Sequence, residues 1–200
     1  MADMPAPSRT SHDAIVAAAR QILEEDGLDA VAMSRVAERV GIRGPSLYKH
    51  VRDRSALIRA VAEGVTADLA ATLSAADATG DPRADLSAVA HAYRTFVRAN
   101  PNGYGLLFAN LAPELQPDAA HLAQLALPLI EAMGTLVGSE DALSASRTMV
   151  SWAHGFVSME LAGALRLGGD LDVAYADGIE SILGGVTGRG RPPSASRRTG

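Results

Sequence analysis

The residues with the clearest chemical capacity lie between Ser34 and Arg59. There, seven cationic side chains (Arg35, Arg39, Arg43, Lys49, Arg52, Arg54 and Arg59) stand against two carboxylates, Glu38 and Asp53. From Val61 to Gly185 the balance reverses, with five arginines facing fifteen acids. The net charge of −5 therefore conceals a basic head on an acidic body. Clustered cations neutralise backbone phosphates and release condensed counterions, so duplex DNA is the partner this pattern implies. A solvated face is the ordinary fate of a charged segment; the spacing of the residues around these cations argues against it here.

That spacing is helical. Met33, Val36, Ala37 and Val40 recur at intervals of three, one and three, which puts them on one side of a short helix. Ser34, Arg35, Glu38 and Arg39 are left facing solvent or phosphate. Gly41 gives the freedom for a tight helix exit, and Pro45 suits the first position of a second helix beginning near Gly44. At helical periodicity Ser46, Lys49 and His50 share one face and Leu47 and Val51 the other. One face can pack while the other reads base edges.

Other helices must brace this pair. Ser11 and Asp13 mark a start, Ile15, Ala18, Ala19, Ile22 and Leu23 form a buried stripe, and Gly27 marks the stop. Asp53 caps a fourth helix whose stripe, Leu57, Val61, Val65 and Leu69, is predicted to run to about Ala78. Asp81 and Pro82 then open a helix that ends at Asn100-Pro101, followed by an aromatic-rich segment, Gly103 to Leu111, and a loop around Pro113 and Pro117. Residues 118–137 read as a helix interrupted by Pro128, where an amide hydrogen bond is lost. No segment shows the strict alternation of a half-buried strand, so the predicted fold class is all-α.

The block from Ala17 to Ile58 resembles the N-terminal domain of the TetR family of bacterial transcriptional regulators. The resemblance is carried by VAERVGI, by Leu47-Tyr48-Lys49-His50-Val51, and by the Arg54 to Leu57 step. It implies that Gly44, Pro45, Ser46, Lys49 and His50 approach the major groove, while Tyr48 and Arg54 contact phosphates. With Ser34, Arg35 and Arg43, these make up the predicted DNA-binding set. Two positions depart from the family pattern: Ala32 replaces a threonine or serine cap, and Gly44 replaces a longer polar side chain. Loss of a cap costs roughly 1 kcal/mol, and Ser34 or Asp29 could substitute.

In the body, Ser144 to Leu167 reads as one helix that is apolar on two sides and so covered on two sides. A second copy of the chain is the natural cover for one of them. Val150, Val157, Leu161 and Leu165, with Tyr175, Ile179 and Ile182 of a last helix over about Leu171 to Leu183, form the predicted homodimer interface. Trp152-Ala153-His154-Gly155 resembles the signature of the WHG class of TetR C-terminal domains. Tyr93, Phe96, Tyr104, Phe108, Met133, Met149, Trp152, Phe156 and Met159 are the candidate lining of a site for a small apolar or aromatic effector. For any single one of them, filling the core is the stronger reading.

Composition excludes several alternatives. With no cysteine the chain can form neither disulfides nor thiolate metal sites. No H-x-x-x-H, H-E-x-x-H or nucleophile-elbow motif occurs, so neither a metal, a cofactor nor a catalytic residue is assigned. No apolar run reaches the ~20 residues of a membrane span, and the amino end reads as no leader, so the cytoplasm is the expected location. The expected organisation is a disordered arm (1–9), a helix-turn-helix DNA-binding domain (10–70, with the motif at about 32–51), a ligand-binding and dimerisation domain (71–185) and a disordered basic tail (186–200). The reading that results is a ligand-responsive transcriptional regulator, a repressor that binds a palindromic operator as a homodimer. The alternatives are an activator or an effector-less regulator and, further off, a helical small-molecule-binding protein or enzyme.

Overall fold

The computed structural model describes residues 11–76, 79–109, 115 and 119–188. Among them are nine α-helices and no strand: α1 His12–Asp26, α2 Met33–Val40, α3 Gly44–Leu47, α4 Arg54–Ser74, α5 Pro82–Ala99, α6 Pro101–Phe108, α7 Ala119–Val137, α8 Ser139–Leu161 and α9 Leu171–Gly188. A 3-10 turn, Leu28–Ala30, joins α1 to α2. Two compact units result. One holds the residues up to Ala71 with Ala99–Leu125; the other holds Thr72–Arg98 with the residues from Ala126 on. The segment around α6 thus groups with the basic head, although it lies inside the 71–185 stretch expected to form the body. The expected arm, and the loop at Pro113 and Pro117, lie outside the described residues.

In the first unit, the Ser11 hydroxyl accepts from the Ala14 amide at 3.1 Å and starts α1. Ile15, Ala18, Ala19, Ile22 and Leu23 are buried as their spacing requires, and Gly27 ends the helix at φ +81°. Helix α1 packs on α2 and α6, and α2 on α3. Gly41 closes α2 in the left-handed region, with its amide bonded to Glu38 O and the Ile42 amide to Ala37 O, a Schellman ending that favours glycine. Asp53 accepts from the Ala56 amide at 2.8 Å and caps α4, whose Leu57, Val61, Val65 and Leu69 are buried. The helix stops at Ser74, short of the predicted Ala78, which lies outside the described residues.

In the second unit, Asp81 accepts from the Arg83 amide at 3.0 Å and Pro82 is the first residue of α5. Pro128 sits inside α7. Two helix ends differ from the predictions. Helix α8 stops at Leu161 because Gly163, at φ +61°, turns the chain: its amide bonds Glu160 O while the Ala164 amide bonds Met159 O. Leu165 therefore falls beyond the helix to which it was assigned. Helix α9 continues past Leu183 to Gly188, so residues 186–188 are helical and the expected tail cannot begin at Val186.

Candidate nucleic-acid interface

Helix α3 is shorter than the sequence suggests. It runs only over Gly44–Leu47, with Gly44 rather than Pro45 in first place, and the chain continues in turn conformation. The Lys49 amide bonds Ser46 O at 3.3 Å and the His50 amide bonds Leu47 O at 2.9 Å, so helical curvature persists through His50. The two faces separate as periodicity requires. Leu47 and Val51 are buried, Ser46 is half-buried, and Pro45, Tyr48, Lys49 and His50 are exposed.

Five of the seven cations of the head fall into two groups. Arg39 forks onto Glu25 at 2.6 and 3.1 Å, and this pairing holds the Glu25 carboxyl below its ordinary value. Arg35 pairs with Asp26, and Arg52 with Asp53 at 2.7 Å. These guanidiniums tie α2 to the end of α1 and decorate the start of α4. By contrast, Arg43, Lys49 and His50 are exposed, and their side chains make no hydrogen bond or ion pair with the described residues. Two of these, Arg43 and Lys49, are uncommitted, solvated cations of the kind a phosphate backbone can recruit. Ser34 is exposed beside them.

Three further residues of this surface, Ala32, Gly44 and Arg54, are placed by the structure. Ala32 is the N-cap residue of α2 and no side chain bonds there, so neither Ser34 nor Asp29 replaces the missing cap. Gly44 has open space where a Cβ would stand, so its lack of a side chain is not imposed by packing. Arg54 turns inward: its Nε donates to Val31 O and its Nη2 to Leu28 O, both at 2.7 Å.

The second unit holds a cluster that the sequence divided among separate roles. Trp152, Phe156 and Tyr175 cluster with ring centroids 5.2 to 5.4 Å apart, Phe156 and Tyr175 meeting edge to face. Tyr175 is fully buried and its hydroxyl donates to Ala90 O at 2.9 Å; burial pushes the phenol well above its ordinary range. The Arg94 guanidinium lies 5.0 Å from the Tyr175 ring centre and 5.8 Å from that of Phe156. It forks onto Glu160 at 2.7 and 2.9 Å and reaches Asp172 at 2.7 Å, joining α5, α8 and α9. Hydrogen bonding from Arg94 holds the Glu160 carboxyl below its ordinary value. Neither charge was singled out in the sequence, yet each interrupts an apolar stripe, and an ionised group there needs a partner.

The other body residues divide. Val157, Tyr175 and Ile179 are fully buried within the protomer, which leaves them no apolar area for a partner copy, whereas Val150 and Leu161 are over two-fifths exposed and Ile182 is half-buried. Among the effector candidates, Tyr104 and Phe108 belong to the first unit and the other seven to the second. Phe96, Met133 and Met149 are buried, Tyr93, Trp152 and Phe156 half-buried, and Phe108 and Met159 largely exposed.

A short helix pair with a buried seam and uncommitted cations, held on a helical scaffold, defines a helix-turn-helix DNA-binding protein. Comparison with known proteins identifies the group. Residues 15–61 match the family model described as bacterial regulatory proteins of the tetR family, and residues 86–182 match a tetracyclin repressor-like C-terminal domain. A helix-turn-helix-type transcriptional regulator of Mycobacterium tuberculosis is 30% identical over 186 residues, covering 92% of this chain and 84% of that protein. The class A tetracycline repressor of transposon 1721 from Escherichia coli is 31% identical over 151 residues, covering 74% of this chain and 66% of the repressor. A solved structure from Rhodococcus sp. RHA1, of unknown function, superposes with a TM-score of 0.75 at 24% identity over 92% of this chain and 98% of that one. The chain belongs to the TetR family of DNA-binding transcriptional regulators, which are not enzymes.

Proposed function

We propose that the protein is a cytoplasmic repressor that binds a palindromic operator as a homodimer and is released by a small apolar or aromatic effector, its body belonging to the WHG class. The observation that carries the DNA-reading half is the exposed, uncommitted trio of Arg43 before α3 and Lys49 and His50 just after it. Ser46, Lys49 and His50 face the major groove; Ser34, Arg35, Arg43 and Tyr48 face the flanking phosphates. Two heads related by a twofold axis meet successive major grooves about 34–36 Å apart. Val150, Leu161 and Ile182 contribute to the dimer contact. Trp152 and Phe156, which retain some exposure within an aromatic cluster, are the leading effector contacts.

Responsiveness has a physical route inside the first unit. The N-terminus of α6 takes its cap from α1, where the Glu24 carboxylate accepts from the Asn102 amide at 3.1 Å and the Gly103 amide at 2.8 Å. Asn102 Nδ2 returns a bond to Glu24 O at 3.0 Å. A Cβ at Gly103 would stand 2.7 Å from Glu24 Oε1 and 3.0 Å from Val65 Cγ2, so glycine permits the approach. Displacement of α6 must break or drag these bonds, and α1 with them.

The test is retention of duplex DNA from the protein's own promoter. The Lys49→Ala/His50→Ala variant is expected to lose retention while its sedimentation remains that of the parent dimer. Retention equal to the parent overturns the DNA-reading assignment, and a parent that sediments as a monomer on DNA overturns the dimer. Reporter output in a deletion strain fixes the sign of regulation, since falling output marks an activator.

A further inference from the structure

We infer that Arg54 is a positioning residue for DNA binding: it clamps the entry to α2 in place of the missing helix cap and does not grip phosphate. The inference deepens the DNA-reading function of the head and rests on it.

The first observation is electrostatic. Arg54 is the first residue of α4, where the positive end of the helix dipole disfavours a cation. A guanidinium retained there needs compensation, and the structure supplies it from outside the helix. Nε and Nη2, which lie on one edge of the planar fork, donate to Val31 O and Leu28 O at 2.7 Å each. The two acceptors sit at the start of the 3-10 turn and one residue beyond its end. The fork therefore spans the whole turn and fastens it to α4, and that edge is closed to phosphate.

The second observation is the vacancy this clamp covers. Most helices gain their entry angle from a capping side chain; α2 begins at Ala32 with none. What fixes its start instead is the 28–31 segment, anchored by the buried Val31 and by Arg54. Because α3 packs on α2, a change in the entry of α2 swings Lys49 and His50 away from the groove. A lysine cannot reproduce this, since a single ammonium lacks the fixed two-donor edge.

The experiment measures affinity for mixed-sequence duplex DNA across a salt series, at a temperature well below unfolding. Each lost phosphate contact flattens the slope of log affinity against log salt by about 0.9. Arg43→Ala is the positive control for such a change. Arg54→Lys and Arg54→Met are expected to lower affinity about five- to tenfold at every salt concentration, the factor one helix cap is worth, with the parental slope. Adding Ala32→Ser, which installs a cap, is expected to restore most of the loss in the Arg54→Met background. A purely stability-related role would lower the melting temperature and leave the affinity of folded protein unchanged.

A slope flattened in Arg54→Met to the extent seen in Arg43→Ala overturns the inference, as does parental affinity in Arg54→Lys. If Arg54→Met fails to fold, Arg54→Lys alone decides, because it keeps the charge a phosphate needs and loses the fork the clamp needs. A parent that does not bind DNA at all refutes the underlying reading rather than the clamp.

Discussion

Removing one partner of the Arg94–Glu160 pair should cost far more than removing both. The Arg94 side chain is 7% exposed and that of Glu160 12%, and the pair is bidentate at 2.7 and 2.9 Å. Truncating one member of a buried pair leaves an uncompensated charge, at about 3–5 kcal/mol. In Glu160→Ala the guanidinium keeps Asp172 at 2.7 Å, but that carboxylate is 75% exposed and compensates weakly. The loss should therefore fall near 2–4 kcal/mol. With a urea slope of about 2 kcal/mol/M, the midpoint drops by roughly 1–2 M. Arg94→Met/Glu160→Met removes both charges and keeps apolar volume against Tyr175 and Phe156, so it should lie within about 1 kcal/mol of the parent. The assay is intrinsic fluorescence, because the single tryptophan, Trp152, stacks on Phe156 within the same cluster. A double variant that loses the sum of the two single losses refutes the argument, since the side chains would then act independently.

Acid should unfold the second unit by way of Glu160. Hydrogen bonding from Arg94 holds its folded carboxyl below the ordinary value, so its contribution is present above that ordinary value and is lost as pH falls through the folded one. In Glu160→Gln the melting temperature should depend less on pH below 5; a profile parallel to the parent's would show that the carboxylate does not carry this acid sensitivity. Gly178→Ala should destabilise, because a Cβ there would overlap the Trp152 ring. Overpacking costs about 1–3 kcal/mol against a helix-propensity gain of up to about 1 kcal/mol. The melting temperature should fall and recover in a Trp152→Leu background, whereas a rise in the single variant would rule out the close contact.

The parts of this molecule that follow local rules were legible in its residues. Ser11, Gly27, Gly41, Asp53 and Asp81 punctuate the helices where cap and turn chemistry require, and the stripes of α1 and α4 are buried as their spacing implies. The misreadings share a cause, which is that a periodic stripe records burial without naming what does the burying. Val157, Tyr175 and Ile179 repeat as an interface would, yet their own protomer covers them. Leu165 keeps the apolar pattern after Gly163 has ended the helix. The two carbonyls that Arg54 bonds lie 23 and 26 residues away in sequence, beyond the reach of any local rule. The Arg94–Glu160 pair spans 66 residues and leaves no periodic trace beyond a charge in each apolar face.

For the effector response proposed above, the strength of the Glu24 link to α6 matters more than its presence. An effector that prefers one of two forms by ~100-fold shifts the equilibrium by about 2.7 kcal/mol, enough to empty many operators. Two amide donors on a carboxylate would contribute up to about 3 kcal/mol each if fully buried. Glu24 is only half-buried and Asn102 is exposed, so screening brings the pair down to about 1–2 kcal/mol in total. That value lies inside the coupling a ligand can supply. A fully desolvated link would lock α1 to α6 against any small effector, and a solvent-bridged one would transmit nothing. Partial burial at the α1–α6 contact thus sets this link within the range that the effector proposed above can supply.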